Sequence, residues 1–136
     1  MNLSEQILNL RENIKFQEDK IKSPIEYFQH KTLRPILKLL NETLNKISIN
    51  FIENINPEFL CSNLVVQEKQ LLTTLKKEQV LKNKLNGIVI GLFTQEELDF
   101  YLTNSEKIDE RIQQMIQERI RTQFKNFLPN NNTLSD

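Results

Sequence analysis

The chain has 136 residues, equal numbers of acidic and basic side chains, and a formal net charge of zero at pH 7. This length corresponds to a single domain, and the absence of a basic excess argues against nucleic acid as a partner. Two glycines, four prolines and no tryptophan leave few turn signals, which argues against an all-β fold and favours long helices.

The chain also lacks the signatures of a secreted or membrane protein. The one cysteine, Cys61, excludes an internal disulfide. No apolar run approaches the roughly 20 residues of a membrane span, and residues 1–6 lack the apolar core of a signal peptide. We therefore expect a soluble, cytoplasmic protein that has no membrane partner.

The first predicted helix covers residues 4–21, with Ser4 as its N-cap. Its apolar residues recur at steps of three, four and seven, which places them on one face of a helix. They are Leu3, Ile7, Leu10, Ile14 and Ile21.

The second predicted helix begins at Ser23-Pro24-Ile25-Glu26, where Ser23 caps, Pro24 takes the first helical position and Glu26 completes a capping box. Pro35 has no N–H to donate and disfavours a helical residue before it. Two alternatives follow: one helix with a kink at Pro35, or a helix that restarts with Thr32 as its cap. Either way it continues to about residue 54 and carries the longest apolar stripe, which makes it the central helix. The stripe is Leu33, Leu37, Leu40, Leu44, Ile47 and Phe51.

A break follows at Asn56-Pro57, and a third helix starts near Leu64. The apolar run 87–93 is either a strand or the buried end of this helix. We favour the helix end, with Gly87 allowing a close helix contact and Gly91 as a left-handed C-cap.

Two helices are predicted after residue 93. Thr94 to Glu97 form a capping box that starts a short helix ending near Thr103. A last helix then carries the stripe Ile108, Ile112, Met115, Ile116, Ile120, Phe124 and Phe127. Residues 1–128 are expected to form a single helical-bundle domain, and 129–136 a disordered tail.

The best candidate for a ligand or partner site lies at the front of the central helix, where helical spacing extends the apolar stripe back to His30 and Glu26. Tyr27, Lys31, Arg34 and Lys38 fall on the adjoining face. These residues are able to form a pocket that holds an acidic group. The structural alternative is that His30 and Glu26 bond each other or a helix end while Arg34 extends to solvent.

The sequence contains few residues or motifs typical of metal, catalytic or nucleotide-binding sites. One histidine and one cysteine do not make a zinc or di-iron site, and no nucleophile, phosphate-loop or dinucleotide motif is present. We expect no catalytic, metal or cofactor-binding residues. The basic end of the last helix (Arg119, Arg121 and Lys125, with Phe124 and Phe127) is a weaker candidate for nucleic-acid binding.

Two stretches, HKTLRPILK (His30–Lys38) and LNGIVIGLFT (Leu85–Thr94), resemble segments of a family of short, uncharacterised bacterial proteins, some of which carry a "glyoxalase" label. The resemblance implies a small helical protein. It supplies no catalytic residue, because glyoxalase domains are built from βαβββ modules and bind metal through His and Glu from several strands.

The predicted fold is an all-α antiparallel bundle of four main helices and one short helix. Its most plausible function is that of a non-enzymatic protein–protein interaction module, in which the excess stripes of the first two helices could form a homodimer. The alternative is a small-molecule-binding protein or enzyme with a site around His30 and Arg34.

Overall fold

The computed structural model describes residues 2–129, and every regular element in that range is helical. The all-α prediction is confirmed, but the count is larger than predicted, with seven helices in the described range. They are α1 (Leu3–Asn9), α2 (24–39), α3 (Asn41–Ile55), α4 (Leu64–Lys77), α5 (Gln79–Ile90), α6 (Gln95–Thr103) and α7 (Ser105–Gln123). Short 3₁₀ turns cover Glu18–Lys20, Phe59–Cys61 and Phe124–Phe127.

The described chain divides into two compact units. The first contains the residues up to Leu40 together with Leu85–Gln114, and the second contains Asn41–Lys84 and the residues from Met115 onward. The single domain over 1–128 stays a prediction. Of the predicted tail 129–136, Pro129 is exposed and the other residues lie outside the described range.

In the first unit, α1 is much shorter than the predicted helix 4–21. Asn2, not Ser4, caps it, since its Oδ1 accepts the Glu5 amide at 2.8 Å. The helix ends at Asn9, and residues 12–17 have no regular structure. Of the predicted stripe only Ile7 is buried, whereas Leu3 and Leu10 are exposed. The early end frees Arg11 to reach partners far along the chain.

The central helix passes through Pro35 without a restart. It consists of Pro24–Phe28, a π-helical turn at Gln29–Leu33, and Arg34–Leu39. In the π turn the Arg34 amide bonds to the carbonyl of Gln29, five residues earlier. The helical hydrogen-bond pattern is therefore already shifted by one residue before Pro35. Pro35 lies in the first turn of the last segment, where its missing N–H costs little. Thr32 does not cap a new helix, as one alternative proposed.

The apolar stripe predicted along this region changes phase after Leu40. Leu33, Ile36 and Leu37 are buried in the first unit. The backbone turns at Leu40 (φ −93°, ψ 6°), and a separate helix, α3, begins at Asn41. In the second unit α3 buries Leu44, Asn45, Ser48, Ile49 and Ile52. The predicted members Ile47 and Phe51 are only half-buried, so the single continuous stripe was wrong beyond residue 44.

The predicted third helix is two helices, because Glu78 adopts an extended conformation (ψ 102°) between α4 and α5. The helix-end interpretation of residues 87–93 is confirmed up to Ile90. The left-handed cap at Gly91 is wrong, because no glycine has a positive φ. The close contact expected at Gly87 is also absent, since a Cβ built there meets nothing within 4 Å.

The last two helices follow the predictions closely. Asn104 separates α6 from α7, and the Thr94 capping box is complete in both directions. Along α7 the predicted stripe is buried at Ile108 and Ile112 in the first unit, and at Ile116, Ile120 and Phe124 in the second. Met115 and Phe127 are half-buried.

Candidate functional site

The structure brings three of the five predicted site residues together around Phe16. The Phe16 ring stacks on His30 (centroids 5.4 Å apart, 21° between planes) and meets Tyr27 edge-on at 5.8 Å. Nη1 of Arg34 lies 3.3 Å from Nδ1 of His30. Because a guanidinium only donates, Nδ1 is the acceptor in this contact. The imidazole is thus already engaged by an aromatic ring and a guanidinium.

The other two predicted residues have separate structural partners. Oε2 of Glu26 accepts the Lys22 amide at 3.3 Å, and the Glu26 amide donates to Oγ of Ser23 at 3.1 Å, so Glu26 completes the start of α2. Lys38 forms an exposed ion pair of 2.6 Å with Glu12. For Glu26 the helix-end alternative therefore describes the observed contacts.

A second polar cluster, which the sequence did not indicate, surrounds Glu97; we call it the Glu97 junction and define it as Arg11, Thr32, Leu92, Thr94 and Glu97. Oε2 of Glu97 accepts Nη1 of Arg11 at 2.7 Å and the Thr32 hydroxyl at 2.9 Å. Oε1 accepts Nη2 of Arg11 at 2.7 Å and the Thr94 amide at 2.8 Å. Arg11 Nη2 also donates to the Leu92 carbonyl at 2.7 Å.

The Glu97 junction is largely shielded from water, with the Arg11 and Glu97 side chains 6% and 16% exposed. Burial is the largest influence on the pKa of Glu97 and raises it. The hydrogen bonds from Arg11, Thr94 and Thr32, together with the charge of Arg11, outweigh burial and hold the pKa below its usual value. The carboxylate is therefore a charged structural tie between the segment after α1, the π turn of α2 and the start of α6.

A small pocket opens beside this junction in the first unit, with a volume of about 270 Å³. We call it the α1–α2 pocket; Arg11, Glu12 and Glu97 line it with Leu8, Asn13, Ile14, Lys31 and Pro35. None of the five predicted site residues lines it. Lys31 and Pro35 follow directly after His30 and Arg34 on α2, so the pocket faces the adjacent side of the predicted helix.

In the second unit, the first turn of α4 exposes three consecutive aliphatic side chains. Leu64, Val65 and Val66 are 51%, 80% and 39% exposed, and we call them the α4 ridge. A hollow of about 710 Å³ on one side is lined by residues that include Leu60, Gln67 and Leu128. A second hollow, of about 430 Å³, contains Leu64 and Val65 together with Glu68, Arg121 and Lys125.

The floor beside the α4 ridge is held in place by Gln67, which is 2% exposed. Its Nε2 donates to the Phe59 carbonyl at 3.1 Å, which ties α4 to the 3₁₀ turn before it. Its Oε1 is buried and has no donor among the described residues. A buried acceptor without a donor is uncommon in native proteins.

The basic end of α7 does not present its aromatics as the nucleic-acid hypothesis required. Phe124 is 3% exposed and belongs to the core of the second unit, so it has no free face for a base. Arg121 forms an exposed ion pair with Glu118 at 2.6 Å. The neighbouring Arg119 lies 3.5 Å from Oδ1 of Asn41. Arg119 and Arg121 therefore have partners within the same unit.

No group of three or more His, Cys, Asp or Glu side chains among residues 2–129 is arranged to hold a metal ion. None of the helices described is both long enough and apolar enough to cross a membrane. Cys61 is exposed and has a free thiol.

The sequence offered unequal signals for these regions. Glu97 was visible as a capping-box acid, but its partner Arg11 is 86 residues away and carried no local signal. Leu64 was visible as the start of the third predicted helix, but its spacing gave no sign that it and the two valines after it are exposed. No protein-family model, curated protein or solved structure shows significant similarity to this chain.

Proposed function

We propose that this protein is a non-enzymatic interaction module that docks through the α4 ridge, and that its partner is a second copy of the same chain. The observation that carries this proposal is the exposure of Leu64, Val65 and Val66 in one helical turn. Contiguous exposed apolar side chains with a polar rim are typical of protein-interaction surfaces.

Folding of the monomer does not account for these residues. The first turn of a helix favours acidic side chains, because they complement the positive end of the helix dipole, and α4 has none there. Valine is also a weaker helix former than Lys, Arg, Gln or Glu. Three aliphatic residues at these positions therefore forgo local stabilisation and leave apolar surface in water, which a docked partner would remove.

The shape and charge of the surface favour a second copy as the occupant. In a two-fold dimer the same patch meets itself, so it must be self-complementary. The ridge stands between two hollows, which gives each copy both a protrusion and a recess. Glu68 shares one hollow with Arg121 and Lys125, so a two-fold axis near Val65 would bring acidic and basic groups of the two copies together.

The expected dimer is weak. Full burial of a leucine or valine side chain contributes about 1.5–3 kcal/mol, whereas association costs about 4–15 kcal/mol. Three such residues from each copy, all already partly covered, give a gain of the same order as this cost, so we expect a Kd between roughly micromolar and millimolar. Self-association would accordingly respond to local concentration.

Sedimentation equilibrium from about 1 µM to about 1 mM protein, which covers the expected range of the Kd, tests the proposal with Val65→Asp. An aspartate at the second position of α4 is compatible with the helix dipole but places a charge in the docked surface. We expect the parent chain to dimerise and the variant to weaken the dimer by at least about tenfold.

Val80→Asp is the matched control, because Val80 is also the second residue of a helix in the same unit and is 67% exposed. It should dimerise like the parent. A parent chain that stays monomeric at about 1 mM, the upper end of the expected Kd range, would contradict the proposal, as would equal effects of the two substitutions. A chain truncated after Pro129 separates a further case. If truncation alone shifts the NMR signals of Val65 and Val66 in a monomeric protein, the chain's own C-terminal residues occupy the ridge and the dimer proposal is overturned.

A further inference from the structure

The α1–α2 pocket has the dimensions and the mixed lining of a site for a small ligand. Leu8, Ile14 and Pro35 supply apolar walls, and Asn13 and Lys31 supply polar groups. At about 30 Å³ for each water in the liquid, its volume of about 270 Å³ holds on the order of nine waters. A ligand of on the order of ten non-hydrogen atoms would fill it, and the pocket is slightly smaller than the roughly 300–1,000 Å³ of typical ligand sites.

The charges that line the pocket leave one cation without a partner. Arg11 is neutralised by Glu97 in a bidentate pair, and Glu12 is paired with Lys38. Lys31 is exposed and forms no hydrogen bond or ion pair with any residue between 2 and 129. Because its ammonium is the uncompensated charge at the pocket, the local field favours an anion there.

A second and independent feature is the Nε atom of Arg11. This atom is buried and has no acceptor among the described residues. The Arg11 side chain as a whole is 6% exposed. A buried donor without an acceptor is uncommon in native proteins and calls for an explanation. Because water does not reach Nε in this structure, a ligand oxygen in the pocket would supply the missing acceptor only after a small shift of the lining residues.

We infer that the α1–α2 pocket binds a small monocarboxylate with a short apolar body. The carboxylate would lie between Lys31 and Arg11, and the apolar body would lie against Leu8, Ile14 and Pro35. A dianion such as phosphate is disfavoured, because Glu12 and Glu97 also line the pocket and a second negative charge would be repelled. This site is carried by other residues than the α4 ridge, so it stands or fails separately from the dimer.

The site also relocates the anion-binding hypothesis drawn from the sequence. That hypothesis used His30, Arg34 and Lys38, which are engaged by Phe16, by each other and by Glu12. The free ammonium is instead on Lys31, the next residue along α2. The inferred anion site thus remains at the start of the central helix. It lies on the neighbouring face of that helix, which carries Lys31.

The test is a ¹H–¹⁵N NMR titration of the full chain with sodium hexanoate, and with hexanamide as the neutral probe of the same length. We expect hexanoate to shift the Arg11 Nε–H signal and the Asn13 and Lys31 amide signals in a saturable manner. Hexanamide should bind at least about fivefold more weakly, because it lacks the charge that Lys31 attracts.

Lys31→Gln should weaken hexanoate binding by at least about fivefold, because it removes the charge-assisted contact. Lys22→Gln removes a lysine of the same unit that does not line the pocket, and it should leave the affinity unchanged. The inference is overturned if hexanoate produces no saturable shift, if hexanamide binds equally well, or if the two lysine variants behave alike.

Discussion

The starts of α4 and α6 are built alike and used differently. In each, a side chain at the N-cap accepts the amide of the third helical residue: Asn63 accepts that of Val66, and Thr94 accepts that of Glu97. The first turn of α6 carries two acids, and the second of them, Glu97, is bonded to Arg11 and Thr32. The first turn of α4 carries three exposed aliphatic residues.

This difference separates residues that hold the fold from residues that face outward. At α6 the cap, the dipole and the tertiary contacts favour the same residue, which is how a sequence specifies one structure. At α4 the cap favours a helix start, but the residues after it neither complement the dipole nor reach the core. A position that departs from local rules without a gain inside the chain is where function is expected.

The largest expected effect on the free energy of unfolding comes from removing the ion pair between Arg11 and Glu97 at the start of α6. Arg11→Met removes the partner of a largely buried carboxylate and leaves the Leu92 carbonyl without its donor, so it should lower the free energy of unfolding by about 3 kcal/mol. Urea denaturation at pH 7 measures this. Lys38→Met is the control, because its ion pair with Glu12 is exposed and should contribute less than about 1 kcal/mol. Equal losses in the two variants would contradict a structural role for the Glu97 junction.

Low pH should weaken the same ion pair between Arg11 and Glu97. Since the pKa of Glu97 is lower in the fold than its ordinary value of 4.5, the unfolded chain takes up this proton first. The stabilisation is therefore present above about pH 4.5 and is lost as the pH falls through the lower folded pKa. The free energy of unfolding of Glu97→Gln should fall less steeply below pH 4.5 than that of the parent.

Glu96→Gln is the control for this loss of stability in acid, because it removes an exposed carboxylate from the same turn of α6. If both glutamine variants show the same dependence of unfolding free energy on pH, the special role of Glu97 is wrong.

A smaller effect is expected at the other end of α6. Tyr101 donates to Oδ1 of Asp109 at 2.7 Å, and burial, this hydrogen bond and the charge of Asp109 raise the pKa of Tyr101 to about 12. The neutral phenol is favoured in the fold, so its stabilisation is present below pH 10 and is lost as the pH rises toward 12. Tyr101→Phe should lower the free energy of unfolding at pH 7 by about 1 kcal/mol.

The ultraviolet absorbance of tyrosinate reports this titration directly. The parent chain contains two tyrosines, and Tyr101→Phe should lack the step near pH 12. The ring contact with Phe93, at a centroid distance of 5.7 Å, is kept by phenylalanine. Loss of a lower step instead would mean that the bond to Asp109 does not form in solution.

Local patterns predicted the elements that depend on neighbouring residues. The capping box at Thr94, the break at Asn104 and the buried stripe of α7 required only spacing and side-chain chemistry. The end of α1 at Asn9 and the phase change at Leu40 were missed. In the first case, Arg11 bonds to a carboxylate 86 residues away, a contact that no local window contains.

The candidate sites show the same limit. The front of the central helix was recognised as polar, but which of its faces lines a pocket depends on the π turn and on residues 8–14, which pack beside it. The α4 ridge was recognised as apolar, and apolar residues at helical spacing are usually buried. Only the tertiary structure shows that Val65 is 80% exposed.

The most direct test of the contrast between the two helix starts is the urea midpoint of unfolding of the parent and of Val65→Asp. It is measured at about 0.5 µM protein, below the expected Kd range, and at about 500 µM, within that range. A dimer stabilises the folded state in proportion to the logarithm of concentration. We predict that the parent midpoint rises with concentration, that the Val65→Asp midpoint does not, and that the two agree at the lower concentration. A parent midpoint independent of concentration, or a Val65→Asp chain that is less stable at the lower concentration, would contradict the assignment of the α4 ridge to docking rather than to folding.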